Sequence, residues 1–329
     1  MITIVINCFN RKEYLLDAVN SALRQTAPRD LYDIIVIKNF SDELINNYLF
    51  ENGIKNIEPE EETTGSWFII AARESKSNFI SFLDDDDIIH PDKISILLRV
   101  IEEYPQTTFI HNLSVRNELI QDTLIFNAAK VETIIDNSVS NFKNCLSKKR
   151  YFNLSSITVH KDVILANVEF VKETNHGTDM IMFAASKLIS GTRIHYERGL
   201  TFFRVHGNSQ GNFKSKDRDD FEDRKRNVLP SHITNWELIS DLLKDTPLGN
   251  YASLRLISTK IWLNIVSERR VCKIGFKDII KGIRYIQYYP LIIFFLYIDL
   301  IDRISHNIIR NIYFKFLFSW IGWRLRENI

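Results

Sequence analysis

The chain has 329 residues and a formal net charge of +1 at pH 7, with 45% hydrophobic and 25% charged residues. This composition is typical of a globular protein, and the balanced charge does not favour a nucleic-acid binder. The cysteines Cys8, Cys145 and Cys272 lie far apart in the sequence. Their odd number and wide spacing favour a reducing compartment and exclude a disulfide framework or a zinc site of paired cysteines.

Neither the start of the chain nor its most apolar segment predicts a membrane span. The sequence enters the strand-like run ITIVI at residue 2 with no basic segment before it, so no signal peptide is expected. The longest apolar stretch, YYPLIIFFLYIDLI at 288–301, is interrupted by Pro290 and Asp299. It falls short of the roughly 18 to 20 apolar residues that span a bilayer. We therefore expect a cytoplasmic protein without a membrane-spanning helix.

Strand and helix patterns alternate along the first hundred residues. A helix is expected after Asn10, a predicted N-cap with Glu13 at capping-box spacing, and others are expected at 65–75 and after Pro91. Residues with strand character occur in four runs: 2–6, 32–38, 79–83 and 107–112. This alternation predicts an α/β fold with a mostly parallel sheet and helices on both faces.

Polar clusters follow three of these predicted strands. They read NCFNR at 7–11, KNFS at 38–41 and DDDD at 84–87. Since ligands bind at the carboxyl ends of the strands in such sheets, we expect the three clusters to converge on one rim.

The rest of the chain shows a change of character near residue 213. Residues 153–164 predict a short strand and a helix start, 176–190 an amphipathic helix, and 192–211 two strands joined by a turn. The charged run KSKDRDDFEDRKRN is a linker or a solvated helix face, and the sequence after it is helical. We therefore divide the chain into residues 1–213, a linker at 214–227 and a helical region at 228–329.

The four aspartates at 84–87 have two interpretations. Crowded carboxylates repel one another unless a cation lies among them. A hard divalent cation such as Mg²⁺ or Mn²⁺ prefers such oxygen ligands. The alternative is an acidic turn that faces water; the patterns of an EF-hand and of a P-loop are both absent.

Four segments, in this order, resemble those of a family 2 glycosyltransferase of the GT-A fold. They are NCFNRKEYLLDAVNSALRQT (7–26), FISFLDDDDIIHPDKI (79–94), GTDMIMFAAS (177–186) and FFRVHGNS (202–209). The resemblance covers roughly residues 1–212. It implies a nucleotide-diphosphate sugar as donor, a divalent metal ion, Mn²⁺ or Mg²⁺, and transfer with inversion at the anomeric carbon.

The resemblance assigns separate roles to the aspartates. Asp84 lies nearer the ribose and assists in holding the metal, Asp86 is on the metal, and Asp87 supports them. Asp85 is expected to tolerate replacement. A metal is needed because the diphosphate leaving group must be neutralised.

The first and last of the four segments contain further candidate residues for binding the sugar donor and the metal. Asn10 and Arg11 belong to the turn after the first strand. Arg204 is a candidate partner of the phosphates, and its alternative is a surface salt bridge. His206 is a candidate further metal ligand, and its alternative is a hydrogen-bonded loop histidine.

Asp179 is the candidate general base that takes the proton of the acceptor hydroxyl. Its alternative is an acid in a first helical turn, where the helix dipole favours negative charge. Thr178 stands where the family usually has Glu, and we expect this change to tune the base without removing it.

A second departure affects the nucleotide base. The family usually has Asp-x-x-Ser after the second strand, but here the residues are Lys38, Asn39, Phe40 and Ser41. Lys38 therefore offers no hydrogen-bond acceptor for the N–H of a uracil imide, and the side chain of Asn39 is a candidate replacement. Ser41 keeps the family's residue. A UDP-sugar is the first expectation for the donor.

The last 40 residues are rich in aromatic and basic side chains. They include Trp320, Trp323, Arg303, Arg310, Lys315, Arg324 and Arg326. Such helices lie well at a bilayer interface, although the same apolar residues also suit packing onto the protein. The membrane interpretation predicts a peripheral protein on the inner face of the cell membrane and makes a polyprenyl-linked acceptor plausible.

The leading hypothesis is thus an inverting, metal-dependent glycosyltransferase that acts on a glycan or lipid-linked acceptor. A non-catalytic, diverged transferase that serves as a membrane-surface scaffold is the alternative. A sugar nucleotidyltransferase ranks last, because NCFNR lacks the glycine-rich loop that this class needs after its first strand.

Overall fold

The computed structural model describes residues 1–61, 63–116, 131–134, 138–148, 150–204 and 218–304. The chain divides into two compact units, residues 1–212 and 213–329. No helix within the described ranges is long and apolar enough to cross a membrane.

The first unit is built on one twisted sheet. Its strands are β1 (Ile2–Cys8), β2 (Tyr32–Lys38), β3 (Lys55–Ile57), β4 (Phe79–Asp84), β5 (Ile88–Ile89), β6 (Thr107–Arg116), β7 (Val131–Ile134), β8 (Ile157–His160) and β9 (Thr192–Phe203). They follow the order β3-β2-β1-β4-β8-β6-β9-β5, and β7 pairs with β9. Strands β3, β2, β1 and β4 are mutually parallel, whereas β8 runs antiparallel to both of its neighbours.

Helices cover both faces of this sheet. Those of the first unit are α1 (Leu15–Leu23), α2 (Glu43–Glu51), α3 (Thr64–Glu74), α4 (Lys93–Glu103), α5 (Val139–Ser147), α6 (Asp162–Leu165), α7 (Val168–Val171) and α8 (Thr178–Ser186). Alternation along β1 sends Ile4 and Ile6 into a core cluster that includes residues of α1 and α4. On the other face, the ring of Phe68 on α3 lies 4.6 Å from the ring of Phe82 on β4.

The predicted convergence of the three polar clusters is confirmed. Strand β1 pairs with β2 on one side and with β4 on the other, all parallel. The pairing places Cys8 beside Lys38 and Asn7 beside Asp84. The carboxyl ends of the three strands therefore meet at one edge of the sheet.

Two sequence-based expectations need correction. Helix α1 begins at Leu15 with Tyr14 at its N-cap, and Asn10 instead adopts a positive φ of 56° in the turn before it. A left-handed residue of this kind reverses the chain after β1 and does not cap a helix. The sequence predicts two strands in 192–211, but the described part of this range forms the single strand β9, which bulges against β6 between Tyr196 and Gly199.

The second unit is helical in its described part. It contains α9 (Arg218–Leu242), α10 (Pro247–Val266), α11 (Phe276–Arg284) and α12 (Ile292–Ile304). From Arg218 onward, the charged run expected as a linker is the first part of α9. Arg224 pairs with Asp220 at 2.8 Å across one helical turn. Thr246 caps α10 by accepting a hydrogen bond from the backbone N–H of Gly249 at 3.1 Å.

Candidate functional site

Strand β4 ends in a tight turn of four acids, Asp84–Asp87, which we name the aspartate turn. The backbone N–H of Asp87 donates to the carbonyl of Asp84 at 3.1 Å and closes the turn. Asp84, Asp86 and Asp87 each offer a carboxylate oxygen, and these oxygens lie within 4.8 Å of one another. Such a set of oxygen ligands has the chemistry that Mg²⁺ or Mn²⁺ requires.

Burial and mutual repulsion shape the charges in this turn. Burial, followed by the charges of Asp87 and Asp86, raises the pKa of Asp84 well above its usual range. Burial and the charge of Asp86 raise the pKa of Asp87 to about 7. Carboxyl groups in this state favour a bound cation, which removes the repulsion that holds protons on them.

A buried side chain without a partner lies next to the turn. Asn7 is 7% exposed and is the neighbour of Asp84 in the pairing of β1 with β4. Within the described part of the chain, neither its Oδ1 nor its Nδ2 makes a hydrogen bond. Buried amides are normally bonded, so this edge of the sheet has polar capacity for a ligand. The donor set and the orphaned amide together fit a cation with a polar ligand beside it.

Arg11 holds one side of the aspartate turn. Its Nε donates to Oδ2 of Asp85 at 3.0 Å, its Nη2 also pairs with Oδ1 of Asp85, and Nη2 lies 2.8 Å from Oδ2 of Asp86. Cys8 donates its thiol hydrogen to the same Asp85 carboxylate at 3.3 Å. Asp85 is therefore a buried anchor for Arg11, which argues against the expectation that it tolerates replacement.

Arg204, at the end of β9, holds the other side. Its backbone N–H donates to Oδ1 of Asp87 at 3.1 Å, and its Nε donates to the carbonyl of Asp86 at 3.0 Å. The guanidinium also lies 4.4 Å from the ring centre of Tyr14 and bonds to Asp17 at 2.9 Å. The two arginines thus place positive charge on both sides of the acids. The proposed ligand His206 lies outside the described residues.

A polar layer beneath the turn was missed by the sequence reasoning. Ser155 accepts a hydrogen bond from the backbone N–H of Asp84 at 2.9 Å and bonds to the Asp87 carboxylate. Asn153 donates its amide hydrogen to Asp87 at 2.9 Å. The fully buried Lys93 donates to the carbonyl of Ser155 at 2.5 Å. These residues fix the direction in which the carboxylates point.

Only one signal could have identified part of this layer. Lys93 follows Pro91 in the segment HPDK, where an isolated lysine opens an apolar helix face. Burial lowers its pKa to about 7, and the Asp87 carboxylate opposes that shift. Asn153 and Ser155 follow the aspartate turn by some 70 residues in the sequence. They reach it only because β8 pairs with β4.

The ends of β1 and β2 are joined by a pair of amides. Asn39 accepts a hydrogen bond from the backbone N–H of Asn10 at 2.8 Å and donates one to the Asn10 side chain at 3.0 Å. Ser41 follows on the same loop and accepts a bond from Asn46 at 3.4 Å. The structure therefore brings Asn10 and Asn39 together.

The side chain of Lys38 bonds to other groups of the protein. Its side chain is fully buried, and Nζ donates to the carbonyl of Phe40 at 2.6 Å and pairs with Glu58. The ammonium has no acceptor capacity, and two of its three hydrogens are donated to these protein oxygens. Any recognition of a nucleobase at this strand end must come from other groups.

A cavity of about 670 Å³ opens next to these residues. It is lined by Phe9, Asn39, Pro59, Glu60, Glu61, Thr64, Trp67, Asn175 and His176. Phe9 is 56% exposed, and the centre of its ring lies 5.8 Å from that of Trp67. Exposed aromatic surface with amide and carboxylate groups at its edge suits a flat, polar ring.

Asp179 lies in the first turn of α8, directly after Gly177 and Thr178. Gly177 has a positive φ of 64°, which directs the chain into the helix, and Thr178 is buried. The backbone N–H of Met180 donates to the Asp179 carboxylate at 2.7 Å, and burial raises its pKa to about 6. The charge of Asp179 also contributes to the raised pKa of Asp84, after burial and the charges of Asp87, Asp86 and Asp85.

Comparison with known proteins supports the assignment that the motifs suggested. Residues 3–123 match the model of Glycosyl transferase family 2. An uncharacterized glycosyltransferase of Haemophilus influenzae is 30% identical over 115 residues, which are 34% of this chain and 38% of that protein. An uncharacterized glycosyltransferase of Rickettsia conorii is 27% identical over 106 residues, or 31% of this chain and 17% of that protein. The chain thus spans well under two thirds of the length of these relatives.

Solved structures confirm the fold. The crystal structure of S. aureus TarS 1-349 superposes with a TM-score of 0.57 at 14% identity, covering 95% of this chain and 91% of that one. The same protein in complex with UDP gives a TM-score of 0.56 with the same coverage. The resemblance to family 2 and the GT-A-like α/β fold with additional C-terminal helices are therefore confirmed.

The buried ion pair of Asp85 gives the first prediction. Asp85→Asn removes the charge that Arg11 and Cys8 face, so we expect the free energy of unfolding to fall by about 2 kcal/mol. Urea unfolding followed by circular dichroism measures this change. Asp30→Asn, at an exposed position, is the matched control and should leave the midpoint unchanged. Equal midpoints for both variants would contradict an anchoring role for Asp85.

Cation binding at the aspartate turn gives the second prediction. Mn²⁺ should raise the melting temperature at neutral pH, and less so in mildly acidic buffer, because protons compete for carboxyl groups with raised pKa. Asp86→Asn should abolish the shift, measured by differential scanning fluorimetry. Asp33→Asn, near the opposite end of β2, is the control. A shift that survives Asp86→Asn would place the cation elsewhere.

Proposed function

From the family 2 segment and its GT-A fold, we propose that this chain is an inverting glycosyltransferase. It moves a sugar from a nucleotide-diphosphate sugar to a hydroxyl group of a glycan or lipid-linked acceptor. The observation that carries the proposal is the aspartate turn flanked by Arg11 and Arg204, with Asp179 near enough that its charge contributes to the raised pKa of Asp84. A base on one side and concentrated positive charge on the other are what this transfer needs.

The leaving group is the first chemical problem. As the bond between the anomeric carbon and the diphosphate oxygen breaks, negative charge grows on the diphosphate. A divalent cation, Mn²⁺ or Mg²⁺, held by Asp84 and Asp86 with His206 as a further ligand, would neutralise that charge. Arg204 adds a fixed guanidinium beside the turn, and Asp87 holds the backbone of Arg204 in place at 3.1 Å.

The acceptor is the second problem. Its hydroxyl oxygen attacks the anomeric carbon while the hydroxyl proton passes to the carboxylate of Asp179. The Met180 N–H donates to Oδ1 of Asp179 at 2.7 Å and so orients the carboxylate that would take the proton. Attack from the side opposite to the leaving group inverts the anomeric centre. Thr178, in place of the family's Glu, leaves this carboxylate as the base.

The donor base is proposed from the cavity beside Asn39. S. aureus TarS has been crystallised in complex with UDP and with UDP-GlcNAc, which supports a nucleotide-sugar donor here. Lys38 cannot accept the uracil imide hydrogen, so Asn39 would replace the family's aspartate in this contact. Asn10, Arg11 and Ser41 complete the proposed donor site. A UDP-sugar is our first choice.

The acceptor and the location rest on the C-terminal sequence. We propose a glycan or polyprenyl-linked acceptor, reached from the cytoplasmic face of the cell membrane. The aromatic residues that suggest this location, Trp320 and Trp323, lie outside the described residues. A non-catalytic scaffold at the membrane is the competing proposal, and it predicts no binding of UDP or GDP by calorimetry.

Transfer from a labelled donor tests the proposed function. Wild-type protein with Mn²⁺ should release nucleoside diphosphate from at least one nucleotide-sugar of a panel, and EDTA should stop it. Asp179→Asn should lower kcat by about a thousandfold or more, because the proton loses its acceptor. Asp162→Asn, an exposed acid in the first turn of α6, is the control. Equal rates for wild type and Asp179→Asn would refute the assigned base.

The pH dependence gives a separate prediction. Asp179 must be ionised to accept a proton, and burial raises its pKa to about 6. The rate constant kcat/KM should therefore rise with pH up to about 6 and level off above it. A profile that falls over that range would require the protonated form of the group and would contradict a general base.

A further inference from the structure

Helix α12 buries two acids together with Ile292 and Ile298 and leaves four large apolar residues exposed. Asp299 is 2% exposed and accepts hydrogen bonds from Arg270 at 2.6 Å and from Arg303 at 2.9 Å. Asp302 is equally buried and also bonds to Arg270 at 2.6 Å. The opposite side of the helix presents exposed apolar residues: Ile293, Phe294, Tyr297 and Leu300. A helix side that faces water normally carries polar residues, so four exposed apolar residues on one side are unusual.

Helix α11 extends the same kind of surface. Phe276, Ile280 and Ile283 follow the spacing i, i+4, i+7 and are all exposed, so they form one stripe along the helix. Gly282 lies on the buried side, where an added Cβ would come within 2.6 Å of a methyl group of Leu296 on α12. This close approach fixes α11 against α12. We name the seven exposed residues of the two helices the apolar face.

The charges next to the apolar face are basic. Lys277 and Arg284 are exposed on α11 beside its stripe, and Lys273 is exposed just before the helix. Among the described residues from 271 to 304, the acids are Asp278, Asp299 and Asp302. Asp278 caps its own helix through the Gly275 N–H at 2.8 Å, and the other two are buried in ion pairs. The charge available to a partner here is therefore positive.

We propose that the apolar face docks this protein onto a lipid bilayer with anionic headgroups. Amphipathic helices with basic edges lie in the headgroup region, where the apolar residues enter the acyl boundary and the lysines meet the phosphates. Helix α12 has 13 residues and is about 20 Å long, so it lies along the surface and does not span it. The basic side chains distinguish this partner from an uncharged apolar protein surface.

This inference does not depend on sugar transfer. Docking needs only the second unit of the folded chain and the lipid, so it can be measured with no donor present. Failure of docking would leave the chemistry of the aspartate turn intact. An inactive protein that still docks would instead contradict the proposed function.

Flotation of the full-length protein tests the proposal. The probes are vesicles of phosphatidylcholine alone and vesicles of equal parts phosphatidylcholine and phosphatidylglycerol. Wild type should float with the mixed vesicles, less at high salt, and poorly with phosphatidylcholine alone. Phe294→Glu should weaken the binding by about tenfold or more, because a buried aromatic side chain is lost and a negative charge is added. Lys277→Glu should weaken it selectively for the anionic vesicles.

The matched control is Phe50→Glu. Phe50 is 84% exposed on α2 of the first unit, so it carries the same substitution outside the apolar face. It should float like wild type, and unchanged circular dichroism should show that all variants are folded. Flotation of Phe294→Glu equal to wild type, or no flotation of wild type, would overturn the proposal. A lipid-free dimer in sedimentation equilibrium that Phe294→Glu dissociates would assign the apolar face to a second copy of the chain instead.

Discussion

The repulsion among four consecutive carboxyl groups is the constraint on which the site depends. A sheet edge cannot hold Asp84 to Asp87 so close together unless positive charge and hydrogen-bond donors compensate them. Arg11 and Arg204 provide that charge from two ends of the first unit's sequence. Burial and the charges of the neighbouring aspartates still raise the pKa of Asp84 well above its usual range, so compensation is incomplete. An incompletely neutralised cluster is suited to a further cation.

This constraint explains why distant parts of the chain meet at one place. The N–H of Arg204 binds Asp87 from the end of β9, and Ser155 binds the backbone of Asp84 from the segment before β8. Lys93, from the start of α4, holds the carbonyl of Ser155. The order of the sheet, with β8 next to β4, makes these contacts possible. The fold thus fixes the positions of the carboxylate oxygens in the aspartate turn.

Much of this arrangement could be predicted from the sequence because it depends on local patterns. The strands β1, β2 and β4, the polar clusters that follow them, and the helix that carries Asp179 all have clear periodicity or motifs. The polar layer of Asn153 and Ser155 could not be predicted, since it depends on antiparallel pairing between segments 70 residues apart. The inward acids of α12 were hidden for a related reason: periodicity locates an apolar stripe but does not say whether protein or solvent covers it.

The burial of Asp85 and Lys38 illustrates a further limit. The motif suggests a role for each of these positions from its place in the sequence. Each side chain, however, forms an ion pair with a residue that comes near it only in the folded protein. Arg11 binds Asp85, and Glu58 binds Lys38. As a result, Asp85 is held by Arg11 inside the turn, and the end of β2 carries an ammonium paired with Glu58.

A crystal structure with a nucleoside diphosphate and Mn²⁺ tests the central claim most directly. The anomalous signal of manganese should lie between the carboxylates of Asp84 and Asp86, with the diphosphate oxygens on the metal and the nucleobase in the cavity beside Asn39. A diphosphate bound elsewhere on the chain, or manganese away from the aspartate turn, would contradict the account.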